Sequence, residues 1–192
     1  TVRNCKLVET DITPHNQPNN WAQDVTIDNI RMLNCAIGLD PGNTNVFINN
    51  VRTRFAGKIP RYTQATGPGT LTATGQIVRN WIHDNRMMDG IYDLRGPNLG
   101  GNGLSQFEKI RVVSSRGTWG TLGVTGTGPK TIKDSYFWTA NGGSTACICS
   151  HTGEVQWTNV RFAGRSGSAG YSIESGGRSV FEDCTNESGV TV

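Results

Sequence analysis

Apolar and polar positions alternate along Val25-Thr26-Ile27-Asp28-Asn29-Ile30-Arg31 up to an asparagine, and the apolar series resumes immediately after it. The same pattern recurs at 1–5, 46–52, 77–82, 106–111, 155–161 and 179–184, with a weaker copy at 132–138. Aligning the copies places Asn4, Asn29, Asn50, Asn80, Lys109, Ser135, Asn159 and Asp183 in one column, at spacings of 25, 21, 30, 29, 26, 24 and 24 residues. A period of this size signals stacked coils. Two residues before the column stand Val2, Ile27, Ile48, Val78, Phe107, Trp157 and Phe181. One residue after it stand Cys5, Ile30, Val51, Trp81, Ile110, Tyr136, Val160 and Cys184. In a straight strand these two positions point to opposite faces, so burying both requires the backbone to turn at the polar residue between them. Asparagine suits such a corner because it accepts the left-handed conformation, and asparagines stacked coil on coil can hydrogen-bond as a ladder. The chain has 17 asparagines, and five of the eight corner positions hold one, well above that background. The copy near 132–138 is ambiguous. Ile132 faces the core there only if Asp134, not Ser135, holds the corner.

Each coil supplies a further short strand, at 36–40, 70–74, 90–95, 120–125, 146–151, 170–175 and 190–192, commonly bracketed by glycine. Inward pairs read as Ile37 and Leu39, Leu71 and Ala73, Leu122 and Val124, Cys147 and Cys149, Tyr171 and Ile173, and Val190 and Val192. The expected fold is an all-β parallel β-helix, a single solenoid of about eight coils with three short strands each and an asparagine ladder at one corner. At one strand spacing per coil it forms a rod roughly 38 Å long. The excursions 56–69 and 96–103 lie between strands, where insertions into a solenoid commonly carry function.

Composition agrees with short strands and tight turns: 35% of residues are hydrophobic, 17% are charged, and 25 are glycine. There is no convincing amphipathic helix and no linker, so residues 1–192 are expected to form one elongated domain. Neither end carries a recognisable cap, and uncapped parallel strands invite pairing. That predicts a piece of a longer polypeptide. The net charge of +3 comes from 18 Lys and Arg scattered among 15 acids, which gives no reason to expect nucleic acid. No apolar run is long enough to span a bilayer. Of the five cysteines, Cys5, Cys147, Cys149 and Cys184 stand in otherwise apolar columns and read as buried thiols, with no zinc-like spacing. Assembly in a reducing compartment follows.

The asparagine corner, the coil length and Asp89-Gly90-Ile91 leading into a strand resemble the right-handed parallel β-helix of the pectate-lyase-like superfamily. Phage tailspikes and polysaccharide depolymerases are among its members. The resemblance covers essentially the whole chain and is one of fold. It implies a right-handed solenoid that binds, or binds and cleaves, an extended polysaccharide, in a homotrimeric parent protein on a virion tail or outside the cell. No cofactor is expected. The alternatives are a secreted polysaccharide lyase, for which calcium would be the ion, and a structural or adhesin rod without activity.

Glycoside hydrolysis needs two carboxyl groups, roughly 5 Å apart for retention or roughly 6.5–9.5 Å for inversion. Asp89 and Asp93 flank the 90–95 strand and are the candidate acid and base, with Asp84 just before them. Trp119 would stack a sugar, and Arg95 or Arg116 would bind a charged one. His151 and Glu174, on successive coils, would line a groove. Solvated turns carry the same residue types. Glu108 and Asp134, on neighbouring coils below Arg79, form either a carboxylate pair or a surface charge ladder balanced by Arg79 and Lys133. Trp81, Trp138 and Trp157 fall at inward columns and are expected in the core.

Overall fold

The computed structural model describes residues 1–12, 22–35, 37–39, 43–54, 69–71, 73–85, 98–99, 103–114, 122–139, 145–164, 169–173 and 177–186. The described elements are all β-strands. In chain order they are β1 (Val2–Val8), β2 (Thr26–Leu33), β3 (Ile37–Leu39), β4 (Thr44–Arg54), β5 (Gly69–Leu71), β6 (Thr74–Asn85) and β7 (Asn98–Leu99). They continue as β8 (Ser105–Glu108), β9 (Arg111–Ser114), β10 (Leu122–Gly126), β11 (Lys130–Lys133), β12 (Tyr136–Thr139) and β13 (Thr145–His151). The last are β14 (Glu154–Thr158), β15 (Arg161–Gly164), β16 (Ala169–Ile173), β17 (Arg178–Glu182) and β18 (Thr185–Asn186).

Every pairing between these strands is parallel and joins one coil to the next, which makes the chain a parallel β-solenoid. β1, β2, β4 and β6 run unbroken through the corner. Beyond β6 the half before the corner continues as β8, β11, β14 and β17, and the half after it as β9, β12, β15 and β18. The remaining face is the six-stranded sheet β3-β5-β7-β10-β13-β16.

The corner works as the alternation demands. Along β4, Val46 and Ile48 are buried, Asn49 and Asn50 both avoid the interior, and Val51 and Thr53 are buried again. A left-handed residue in the middle absorbs the change of phase: Asn50 has φ 50°. The same conformation recurs at Asn4, Asn29, Asn80, Lys109, Asp134, Asn159 and Asp183, with φ between 50° and 55°. The ladder forms. Asn29 Nδ2 donates to Asn4 Oδ1 at 2.8 Å and Asn50 Nδ2 to Asn29 Oδ1 at 3.1 Å, while Asn159 Nδ2 donates to Asp134 Oδ1 at 2.7 Å. At Asn80 the ladder sidesteps by one residue, donating to Asn49 Oδ1, which belongs to a second chain ending on Asp28. A further left-handed pair, Asp24 just before β2 and Asn45 near the start of β4, is itself bridged, Asn45 Nδ2 donating to Asp24 Oδ1 at 3.1 Å.

The ambiguous copy resolves in favour of Asp134. Its φ of 50° makes it the corner, so Ser135, Tyr136 and Trp138 each move one place from the expected column. Ile132 is fully buried, between Phe107 and Trp157 in register. Ser135 takes the inward position and is 3% exposed, donating to Lys133 O at 2.6 Å and accepting the Ile110 N–H at 3.1 Å. A buried hydroxyl satisfied on both sides is tolerated in an apolar column. Tyr136 therefore faces outward, and Phe137, not Trp138, enters the core. A one-residue slip moves every side chain of the strand to the other face.

The third face carries a second correction, inside the excursion expected at 96–103. On the fourth coil its rung is held by Asn98 and Leu99, paired to Thr70 and Leu71 on one side and Gly123 and Val124 on the other. The expected strand at 90–95 lies outside the described residues, as does 190–192.

The interior is a stack of large side chains. Trp157 packs edge-on to Phe162 at 5.5 Å and face-on to Phe181 at 5.9 Å, and Phe162 lies 6.0 Å from Phe137. Trp81 is fully buried and its Nε1 donates to Thr53 Oγ1 at 2.9 Å, which lies 3.0 Å from His83 Nδ1. Gln76, Ser105 and Lys130 occupy one inward column on successive coils, and Lys130 Nζ donates to Gly128 O at 2.7 Å. Cys35 is buried, Cys5 and Cys184 are half-buried, and all three are free thiols. The side chains of Cys147 and Cys149 lie outside the description.

Candidate functional site

In-register parallel stacking converts residues 21 to 30 positions apart in sequence into neighbours one strand spacing apart, about 4.8 Å. The outer faces are therefore best read as columns running along the solenoid.

Before the corner, one such column runs Asp28, Asn49, Arg79, Glu108, Lys133, Thr158, Glu182. Arg79 Nε lies 3.2 Å from Glu108 Oε2, and Lys109 Nζ lies 3.5 Å from Glu108 Oε1. Arg79, Gln106, Glu108, Thr131 and Lys133, floored by Phe107, line a groove of about 240 Å³. Its chemistry is that of a polar binding surface with both signs of charge. The nearest acids in the Glu108 column are Asp28 and Glu182, each three rungs away or about 14 Å, beyond the carboxyl separation glycoside hydrolysis uses. Asp134 stands in the corner column with Asn159, so Glu108 and Asp134 form no carboxylate pair within one column, and Glu108 belongs to a charge ladder with Arg79 and Lys133 on its two sides. A second hollow, of about 400 Å³, opens beside β1 against Val2, Leu7, Ile12, Val25 and Ile27 and continues the apolar core.

After the corner the outward column two residues on runs Lys6, Arg31, Arg52, Ile82, Arg111, Tyr136, Arg161, Thr185. Five of its members are cations, all exposed. Tyr136 sits between two of them, with the Arg111 guanidinium 4.7 Å and the Arg161 guanidinium 5.4 Å from its ring centroid. Composition reads these cations as scattered. The signal that finds them is the repeat itself, which ends in arginine at Asn29-Ile30-Arg31, Asn50-Val51-Arg52, Lys109-Ile110-Arg111 and Asn159-Val160-Arg161. Placing the corner at Ser135 hides the aromatic member of the column, because it turns Tyr136 inward.

Of the residues expected to act, Asp89, Asp93 and Arg95 lie in 86–97, Arg116 and Trp119 in 115–121, and Glu174 in 174–176, all outside the described residues. The backbone of Asp84 pairs with Val113 in β6 and β9, and that of His151 ends β13 opposite Gly126. Their side chains also lie outside the description. Among the described residues no group of three or more His, Cys, Asp or Glu is gathered as a metal would require, and no helix is long and apolar enough to cross a membrane.

The chain matches no family model, no curated protein and no solved structure.

Proposed function

We propose that the protein is a polysaccharide-binding β-solenoid of the pectate-lyase-like type, from a viral tailspike or a related surface depolymerase. The observation that carries the reading is the unbroken parallel register, which lays outward polar and charged side chains along straight faces at one-rung spacing and opens a groove across β8 and β11. An extended glycan offers hydroxyl and charged groups at a similar repeat and follows a straight groove without folding. In the catalytic form of the reading, Asp89 and Asp93 are the acid and base, with Asp84, Arg95, Arg116, Trp119, His151 and Glu174 as sugar contacts. The tailspike form adds homotrimerisation and a place on the virion.

The test is incubation with a panel of bacterial surface polysaccharides, following binding, new reducing ends and unsaturated products together. Binding to at least one polymer is the expected result, and absence of binding across the panel removes the reading. Reducing ends without unsaturation mean hydrolysis, abolished by Asp89→Asn or Asp93→Asn; unsaturation means a lyase; binding alone leaves an adhesion rod.

A further inference from the structure

We infer that the column Lys6, Arg31, Arg52, Arg111, Tyr136, Arg161 is the docking strip for an acidic polysaccharide, one bearing a carboxylate or equivalent anion on its sugars. The inference rests on the polysaccharide reading and names the charge class of the polymer and the face it uses.

Three observations carry it. The first is alignment. From Lys6 to Arg161 the column spans six rungs, about 29 Å, and only Ile82 and Tyr136 interrupt the cations. Like charges directly opposite on neighbouring strands destabilise a sheet, so such a column carries a standing repulsion that a polyanion removes. The second is the lack of a neutralising carboxylate, among the described residues, at four of the strip's cations. No described carboxylate forms a salt bridge with Lys6, Arg31, Arg52 or Arg111, whereas Arg79 and Arg178, in other columns, are paired with Glu108 and Glu154. The corner column beside the strip presents Asn4, Asn29, Asn50, Asn80, Lys109 and Asn159, with its two acids, Asp134 already accepting from Asn159 and Asp183 one rung beyond it, confined to the end past Arg111.

The third is the Tyr136 step. Its ring is flanked by two guanidiniums, a cation–π arrangement that holds both side chains in place. Guanidiniums so ordered lose less freedom when they take a carboxylate in their planar fork. Tyr136 is a positioning residue. Because both faces of the ring are covered, it offers no platform for a nucleobase, and single-stranded nucleic acid binding depends on such platforms. The rung spacing is also out of step with the ~3.4 Å phosphate repeat along one strand of duplex DNA.

The experiment measures binding of alginate, and of alginate whose carboxyls have been reduced to alcohols, to the full chain at low ionic strength. The variants are Arg31→Gln/Arg52→Gln/Arg111→Gln together, Arg52→Gln alone, Tyr136→Leu, Tyr136→Phe, and Arg178→Gln as a control off the strip, charge-matched to Arg52→Gln. Alginate is expected to bind and its reduced form not to. The triple variant should bind about tenfold more weakly, since each exposed ionic contact is worth a factor of roughly 1.5 to 5. Its melting temperature should stay level or rise as repulsion is relieved, which a merely structural role would not give. Tyr136→Leu should weaken binding with Tyr136→Phe near wild type, and Arg178→Gln should change nothing. Equal binding of native and reduced alginate, or a loss in Arg178→Gln equal to that in Arg52→Gln, overturns the acidic strip and leaves the polysaccharide reading standing. No binding of either polymer, with none across the panel of bacterial surface polysaccharides, overturns both. Tighter binding of single-stranded RNA than of alginate at the same ionic strength also overturns the inference.

Discussion

Replacing Trp157 by alanine is expected to lower the stability of the solenoid by about 3–5 kcal/mol, the range for truncating a large buried aromatic. Trp157 is fully buried and packs against Phe162 and Phe181, the latter contributed by the next coil. Its Nε1 also donates to Ser179 Oγ at 3.3 Å, again one coil on. The loss therefore falls on the interface between coils. Neighbouring repeats hold one another by such interfaces, so the denaturation midpoint should fall and the transition should lose cooperativity. Urea denaturation followed by tryptophan fluorescence and circular dichroism checks this, and a cost below about 1 kcal/mol would be incompatible with a stacked aromatic core.

Ile132→Ala should cost about 2–5 kcal/mol, whereas Tyr136→Ala should cost no more than about 1 kcal/mol. The two substitutions report the same fact from opposite sides. With Asp134 at the corner, Ile132 is fully buried between Phe107 and Trp157, and Tyr136 lies outside between two arginines. With Ser135 at the corner the order of the two costs would reverse. Measuring both by denaturant unfolding decides the register of this coil and, through it, whether Tyr136 belongs to the basic column.

The repeat and its corner were legible because both depend on a local clash. An inward position two residues before a polar residue and another one residue after it cannot share a straight strand, so the pattern itself requires a turn. Lys109 shows the limit of reading asparagine alone. It holds φ 55°, a conformation costing roughly 1–2 kcal/mol outside glycine, and only its place in the series marks it. The pattern failed at Asp134 and Ser135 because aspartate and serine are both plausible turn residues, and adjacent Phe137 and Trp138 make either inward choice look apolar. What decided it was a hydrogen bond. Ser135 enters the core because the Ile110 N–H and the Lys133 carbonyl satisfy its hydroxyl there.

The buried polar residues were illegible for the same reason. Nothing in the spacing of Thr53 and His83 says that they meet beside the Trp81 indole, or that Lys130 folds back onto Gly128. Asn98 and Leu99 hold a rung inside the excursion expected at 96–103, because a glycine-rich setting reads as loop even where two residues pair on both sides. Of the expected sugar contacts and carboxylates, the side chains fall outside the description, so the proposed chemistry at Asp89 and Asp93 rests on the sequence. The basic column is the opposite case. Its members lie 21 or more residues apart and dissolve into an unremarkable net charge, and register alone assembles them.

The most direct measurement is arginine-selective dicarbonyl labelling, read peptide by peptide with mass spectrometry in the presence and absence of alginate. A polymer lying along the strip predicts that Arg31, Arg52, Arg111 and Arg161 are protected together while Arg178 labels as before. Unchanged labelling of those four in the presence of bound polymer, or protection confined to arginines off the column, would contradict it.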